Sequence, residues 1–332
     1  MLYYNKLLYY NIFMTNRIQT YLITLVFSVL SLISSANAEV KVVASIKPIH
    51  SLVSYIMDGV GKPDVIVDGY NSPHGFSLKP SHAKMLENAD LVIWVGEDLE
   101  AFLEKPLKTI TKKAINIELL DLKRINKLEF REKNIFEEHD DHKEHDDHKE
   151  HDDHKEKDAH EGHNHGEHDP HVWLDPINAK IIVKEITKEL IKLDSKNSSV
   201  YKSNSKKALA DIDKLIKSIR KDLNKDLRFV VFHDAYQYYE NRFGIQVLGA
   251  LTVNTDVMPG AEQLSEIREV IEHEKINCLF SEPQFNPSII KSIAKDTSVK
   301  IGILDPLGAE LDKGKDLYFD LLKNMTSSFK GC

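Results

Sequence analysis

Several features are scarce in this 332-residue chain, and each shortage closes off a class of function. No surplus of positive charge exists: the formal net charge is −8, so neither nucleic acid nor an anionic membrane surface is an expected partner. No apolar stretch reaches the ~20 residues of a membrane-spanning helix; the run over 21–33 holds about 13. There is no H-E-x-x-H helix and no nucleophile motif, which counts against a zinc hydrolase. Cysteine occurs twice, at Cys278 and Cys332, and neither lies near residue 38. A lipid-anchored product cut at that point is therefore not expected.

That apolar run has its own meaning. Arg17 precedes it, and Ala36-Asn37-Ala38 closes it with an A-x-A cleavage pattern, so 1–38 reads as a secretory signal peptide with Met14 an alternative start. An exported product places both cysteines where oxidation favours pairing, and a terminal cysteine has little packing role of its own. A Cys278–Cys332 bridge would pin the C-terminus. Two separate thiols are the other reading.

The remaining chain is 42% hydrophobic overall and long enough for two compact lobes. Short apolar strands at 40–46, 64–67 and 90–95 alternate with helices at 48–59, 80–88 and 98–111. A second series begins at Arg228, with strands at 228–232, 245–250, 278–281 and 300–304 and helices at 235–242, 261–275 and 287–295, then a final helix. Such alternation predicts an α/β fold with parallel sheets covered on both faces. Between the series, Tyr201, Ala208, Ile212, Leu215, Ile219 and Leu223 recur at helical spacing. The expected organisation is an N-terminal α/β lobe over 39–197, one long rigid spine helix over 198–227 and a C-terminal α/β lobe over 228–332. A stiff spine should limit hinge closure.

One segment, about 137–168, stands apart. It repeats HDDHKE three times and carries ten of the sixteen histidines: His139, His142, His145, His148, His151, His154, His160, His163, His165 and His168. From Glu137 to Asp169 there are 15 acidic residues against 4 lysines, which accounts for the negative charge of the mature chain. Without apolar residues it cannot offset its ordering entropy, so it reads as a disordered insertion in the first lobe. Its alternating imidazoles and carboxylates suit weak binding of several Zn2+ ions, lost as the histidines protonate.

Of the other six histidines, His50, His82 and His273 read as structural or surface residues. His74 in NSPHGFSLKPS, His171 in DPHVWLDP and His233 in VVFHDAYQYY all sit at strand or helix ends. In open α/β sheets the carboxyl ends of strands face the ligand crevice, so the three can converge in an inter-lobe cleft. Asp305 in ILDPLG ends another strand and is the natural fourth candidate, with water the alternative. Three imidazoles plus a carboxylate or water suit tetrahedral Zn2+, whereas manganese more often takes added oxygen ligands.

Together KPIHSLV, PHGFSLKPS, VGEDLEAFLE, the acidic histidine-rich insertion, DPHVWLDP, FHDAYQYYENRFG and SEPQF span the mature chain. In these motifs the chain resembles the cluster A-I, or class III, metal-binding proteins of bacterial zinc and manganese ABC importers, and within them the zinc branch. The resemblance implies His74, His171 and His233 as ligands of transported Zn2+. It also implies a second-lobe disulfide from Cys278 and Cys332, a periplasmic location, and a membrane permease with its cytoplasmic ATPase as partner. The protein is expected to act as a monomer and not as an enzyme. Manganese-branch relatives typically carry glutamate where His233 stands; a manganese importer is thus the nearest alternative, and a zinc hydrolase or hydratase the remote one. Some zinc-branch members place a glutamate just before the first histidine, where this chain has Pro73, and Glu282 in SEPQF is a candidate to orient a ligand. If the insertion stores zinc, deleting 139–168 will lower the number of Zn2+ ions bound in a calorimetric titration; an unchanged stoichiometry would show that it does not.

Overall fold

The computed structural model describes residues 39–131, 168–253, 259–295 and 297–332, with positions 14, 133 and 255 in isolation. Apart from Met14 the expected signal peptide lies outside the described residues, as does the histidine-rich insertion up to residue 167.

Two four-stranded parallel sheets form the frame. The first contains β1 (Val42–Ile46), β2 (Asp64–Val67), β3 (Leu91–Trp94) and β4 (Ile115–Glu118) in the order β2-β1-β3-β4. The second contains β5 (Arg228–His233), β6 (Gln246–Thr252), β7 (Cys278–Ser281) and β8 (Lys300–Ile303) in the order β6-β5-β7-β8. The central strands are apolar throughout, VVASI in β1 and CLFS in β7, because helices cover both faces. In each sheet the chain direction reverses across the central pair, β1 and β3 or β5 and β7, which leaves a crevice at their carboxyl ends.

The expected strands and helices are present, most of them within three residues of the expected ends. Strand β4 was not anticipated: INIE is an edge strand whose first two residues face solvent, so it lacks the apolar run that marks the central strands. The connecting helices are α1 (Lys47–Ile56), α2 (Pro80–Glu87) and α3 (Ala101–Thr109) in the first series. The second series has α6 (Gln237–Phe243), α7 (Ala261–His273), α8 (Ser288–Ala294) and α9 (Leu317–Gly331). Between them lie α4 (Pro176–Leu193) and α5 (Ser198–Asp222). Helix α5 is the expected long helix, but at 25 residues it spans about 37 Å and stops short of residue 227. Leu223 turns extended, and the Asn224 side chain accepts from the Asp226 amide, which ends the helix in a local turn.

Helix α5 does not bridge the sheets alone. It packs along α4 and α1, and α9 returns from the second series to pack on α1 and α5. One buried apolar cluster consequently runs from Val42 through Ile182, Tyr201 and Ile219 to Phe229 and Phe329. The outer face of the second sheet has a separate cluster around Phe232, Leu251, Ile267 and Ile290.

Cys278 opens β7 and is bridged to Cys332 after α9, with Cα atoms 5.9 Å apart. The bridge fixes the helix end beside the rings of Phe229, Phe280 and Phe329. It closes a loop of 54 residues, which corresponds to about 4 kcal/mol on the chain-entropy estimate. The variant Cys332→Ser should therefore lose roughly 2–4 kcal/mol of stability in urea unfolding, and reductant should destabilise the parent but not the variant.

Candidate metal centre

Each of the three expected histidines is delivered by a different local device. His74 sits on the loop after β2, which the Asp68 carboxylate opens by accepting from the Gly69 amide at 2.8 Å. Gly69 holds φ +67°, a turn conformation that a side chain would strain. The His74 amide then donates to Ser72 Oγ at 3.3 Å.

His171 leads into a buried turn, Val172–Leu174, ahead of α4. Its orientation comes from Asp169, whose Oδ1 accepts both the His171 amide at 2.9 Å and ring Nδ1 at 2.7 Å. Beyond the turn, Asp175 caps α4 through the Ile177 amide and takes both forks of Arg242 at 2.7 and 2.6 Å. The buried Trp173 indole donates to Pro306 O at 2.8 Å, tying the turn to the segment after β8.

His233 is the last residue of β5, at the crevice of the second sheet. Its Nδ1 lies 2.6 Å from Glu282 Oε1, one residue past the neighbouring strand β7. Both carboxylates, Asp169 and Glu282, thus hold the Nδ1 proton and leave Nε2 as the lone-pair nitrogen. The sequence reading had singled out Glu282 but passed over Asp169, although it sits inside the quoted DPH motif.

These nitrogens meet. The Nε2 atoms of His171 and His233 are 3.3 Å apart, and one ligand atom from each of His74, His171 and His233 falls within 4.8 Å of the others. Ring centroids are 5.2–5.6 Å apart, and the buried His74 Nε2 has no protein partner. Tetrahedral zinc with bonds of about 2.0–2.1 Å would separate its nitrogens by about 3.3–3.4 Å. The space between the rings is a cavity of about 10 Å3, on the scale of an ion or a single water.

The electrostatics suit a neutral ligand set. Burial, with the neighbouring imidazoles adding to it, holds His74 and His171 well below the ordinary histidine pKa. Burial acts the same way on His233, but Glu282 beside it, with Asp234 and Asp169, turns the net shift upward. Burial also raises Asp169, Asp234 and Glu240 to about 7, against the pull of Arg131. Arg131 pairs with Asp234 at 3.0 Å and Glu240 at 2.8 Å, beside the point where Glu129 bridges to His168.

Asp305, the expected fourth ligand, is not among the converging groups. Its Oδ1 accepts from Gln284 Nε2, Leu307 N and Gly308 N, and its Oδ2 from Ala309 N, so the carboxylate organises its own turn. His50 is buried with Nε2 3.1 Å from Pro63 O, and His82 accepts from the Lys79 amide at the start of α2. His273 is exposed at the end of α7. Of the insertion's histidines only His168 lies within the described residues.

With this geometry in place, comparison with known proteins decides the lineage. The family model described as ZnuA, periplasmic component A of a zinc-uptake complex, matches residues 42–332. The chain belongs to this family. It is 45% identical over 311 residues to the high-affinity zinc uptake system protein ZnuA of Brucella abortus strain 2308, covering 90% of this chain and 93% of that protein. The protein of the same description from Yersinia pestis is 36% identical over 299 residues, covering 89% and 92%. A crystal structure of ZnuA superposes with a TM-score of 0.70 at 22% identity, covering 88% of this chain and 98% of that one. The periplasmic zinc-binding protein TroA of Treponema pallidum shares the fold with a TM-score of 0.69 at 19% identity, covering 89% and 99%.

The two buried carboxylates give a direct check on ring orientation. Asp169→Asn and Glu282→Gln should each weaken Zn2+ binding by about 10–100-fold in a competition titration, because the imidazole behind each loses its orienting acceptor.

Proposed function

We propose that this chain captures Zn2+ in the periplasm through His74, His171 and His233 and delivers it to the membrane permease of a zinc ABC importer. The observation that carries the reading is the pair of Nε2 atoms 3.3 Å apart, each backed by a carboxylate on Nδ1. With both Nδ1 protons so held, two lone pairs face one another in a buried space. A divalent cation between them converts that repulsion into two bonds, and His74 supplies a third.

Zinc is favoured over manganese because the converging set is three imidazoles with no carboxylate in a bonding position. Asp169 and Glu282 stand behind the rings and offset the ion's charge without binding it. A transported ion must also leave, and a three-nitrogen set completed by water holds it without enclosing it in protein ligands. An enzymatic reading lacks space: a cavity of about 10 Å3 does not admit an organic substrate beside the ion. The two lobes and the helix between them are read as a stiff frame that presents the cleft to the permease, with the protein acting as a monomer.

Metal analysis of the purified protein should find zinc, and a competition titration should find one tight site. The triple variant His74→Ala, His171→Ala, His233→Ala should lose that site, with a loss greater than the 10–100-fold expected of the outer carboxylates. A tight site preserved in the triple variant would place the chemistry elsewhere.

A further inference from the structure

Three imidazoles leave one corner of a tetrahedron open, and the structure holds one more polar atom whose position suits that corner. Gln284 lines the same small cavity as His74, His171 and His233. Its amide has only one orientation consistent with its surroundings. Nε2 donates to Asp305 Oδ1 at 2.9 Å, and the reverse orientation would set an amide oxygen against a carboxylate. Oε1 is thereby turned away from Asp305, and it is buried without a protein donor.

An unsatisfied buried acceptor costs about 1–3 kcal/mol, so its retention calls for a partner that arrives with the ligand. Asp305 is itself fixed. Its carboxylate is bound by the amides of Leu307, Gly308 and Ala309, and the turn is held from β1's end by Lys47 Nζ on Ala309 O and Leu311 O at 3.0 and 2.7 Å. The amide is therefore aimed by a rigid support. Glu282 also lines the cavity, but its Oε1 is committed to His233 and the buried Tyr236 hydroxyl faces the carboxylate.

We propose that Gln284 Oε1 governs the fourth coordination position, accepting the hydrogen bond of the water that completes the tetrahedron around the captured ion. The inference rests on zinc capture by the three histidines. A water bound to a divalent cation is a strong donor, and a neutral amide oxygen accepts from it without adding charge. The same residue then favours an ion that keeps a single water over one that demands several oxygen ligands. Gln284 is a positioning residue in this scheme, acting through the water.

Gln284→Met keeps the length of the side chain and removes both amide atoms. Zinc affinity of this variant should fall about tenfold or more, as for other outer partners of a metal site. The visible absorption band of its cobalt(II) form should shift, because the fourth position is no longer held. A purely structural role, through Asp305, would lower the thermal stability of the metal-free protein and leave the cobalt band where it is. Gln284→Glu keeps an acceptor and should recover the parent's zinc affinity and band, which also covers the case in which the Met variant does not fold. An unchanged band with unchanged zinc affinity in Gln284→Met, or lost affinity in a folded Gln284→Glu, overturns the proposal. His233→Ala measured alongside separates the two levels: if it too keeps tight zinc, the three-histidine reading fails; if it alone loses zinc, only the role of Gln284 fails.

Discussion

The arrangement of lone pairs at the crevice sets the terms for the rest of the molecule. Each of His171 and His233 has its Nδ1 proton committed to a buried carboxylate, which turns the two Nε2 atoms toward one another at 3.3 Å. Neutral imidazoles held this way gain nothing from each other and would separate if the chain allowed it. The protein must therefore hold them in place from outside. On one side stands β5, whose last residue is His233, paired to Thr252 on β6. On the other is the turn Val172–Leu174, buried and locked by Trp173 to Pro306 and by Tyr318, whose hydroxyl donates to Trp173 O at 2.9 Å. Binding energy for the ion is thus stored as positioning, supplied by ordinary packing and hydrogen bonds some distance from it.

Much of this frame could be read from the chain before any coordinates, for physical reasons that differ by element. Central strands such as VVASI and LVIW are apolar at every position because they are covered on both faces, so they stand out in composition alone. Edge strands carry no such mark, which is why INIE at β4 was missed. His74, His171 and His233 were legible because each sits where an element ends, and in open sheets those ends share one crevice. The partner of His171 was harder to see. Asp169 reaches its ring only because the intervening Pro170 and the following turn fold the chain back on itself, a local geometry that residue spacing does not reveal.

Asp305 shows the opposite error. A carboxylate at the end of β8 reads the same whether it faces the crevice or its own backbone, and here four donors draw it into the turn. Its contribution to the site is indirect: it fixes Gln284, a residue with no metal-ligand signature in the sequence. Hydrogen-bond commitment, which decides between such alternatives, is a property of the folded chain and not of the residue type.

The helix between the two series was expected to stiffen the molecule by its own length. In the structure the stiffness has a broader source. Helix α5 is only one of several layers: α4 lies along it, α9 returns from the second series to pack on α1, and the disulfide secures α9 to β7. Lys47, at the end of β1, adds a buried cationic link to the carbonyls of the 305–311 turn although burial lowers its pKa. Opening the cleft by swinging one sheet from the other would expose the apolar cluster shared between them, at about 25 cal/mol for every Å2 of apolar surface. Exchange of the ion is cheaper through the loops that carry His74 and the residues around Gln284, which contribute little to that core. A frame that cannot hinge keeps its two strand-end carboxylates and their imidazoles in register whether or not the ion is there, and that constancy lets three neutral side chains act as one ligand.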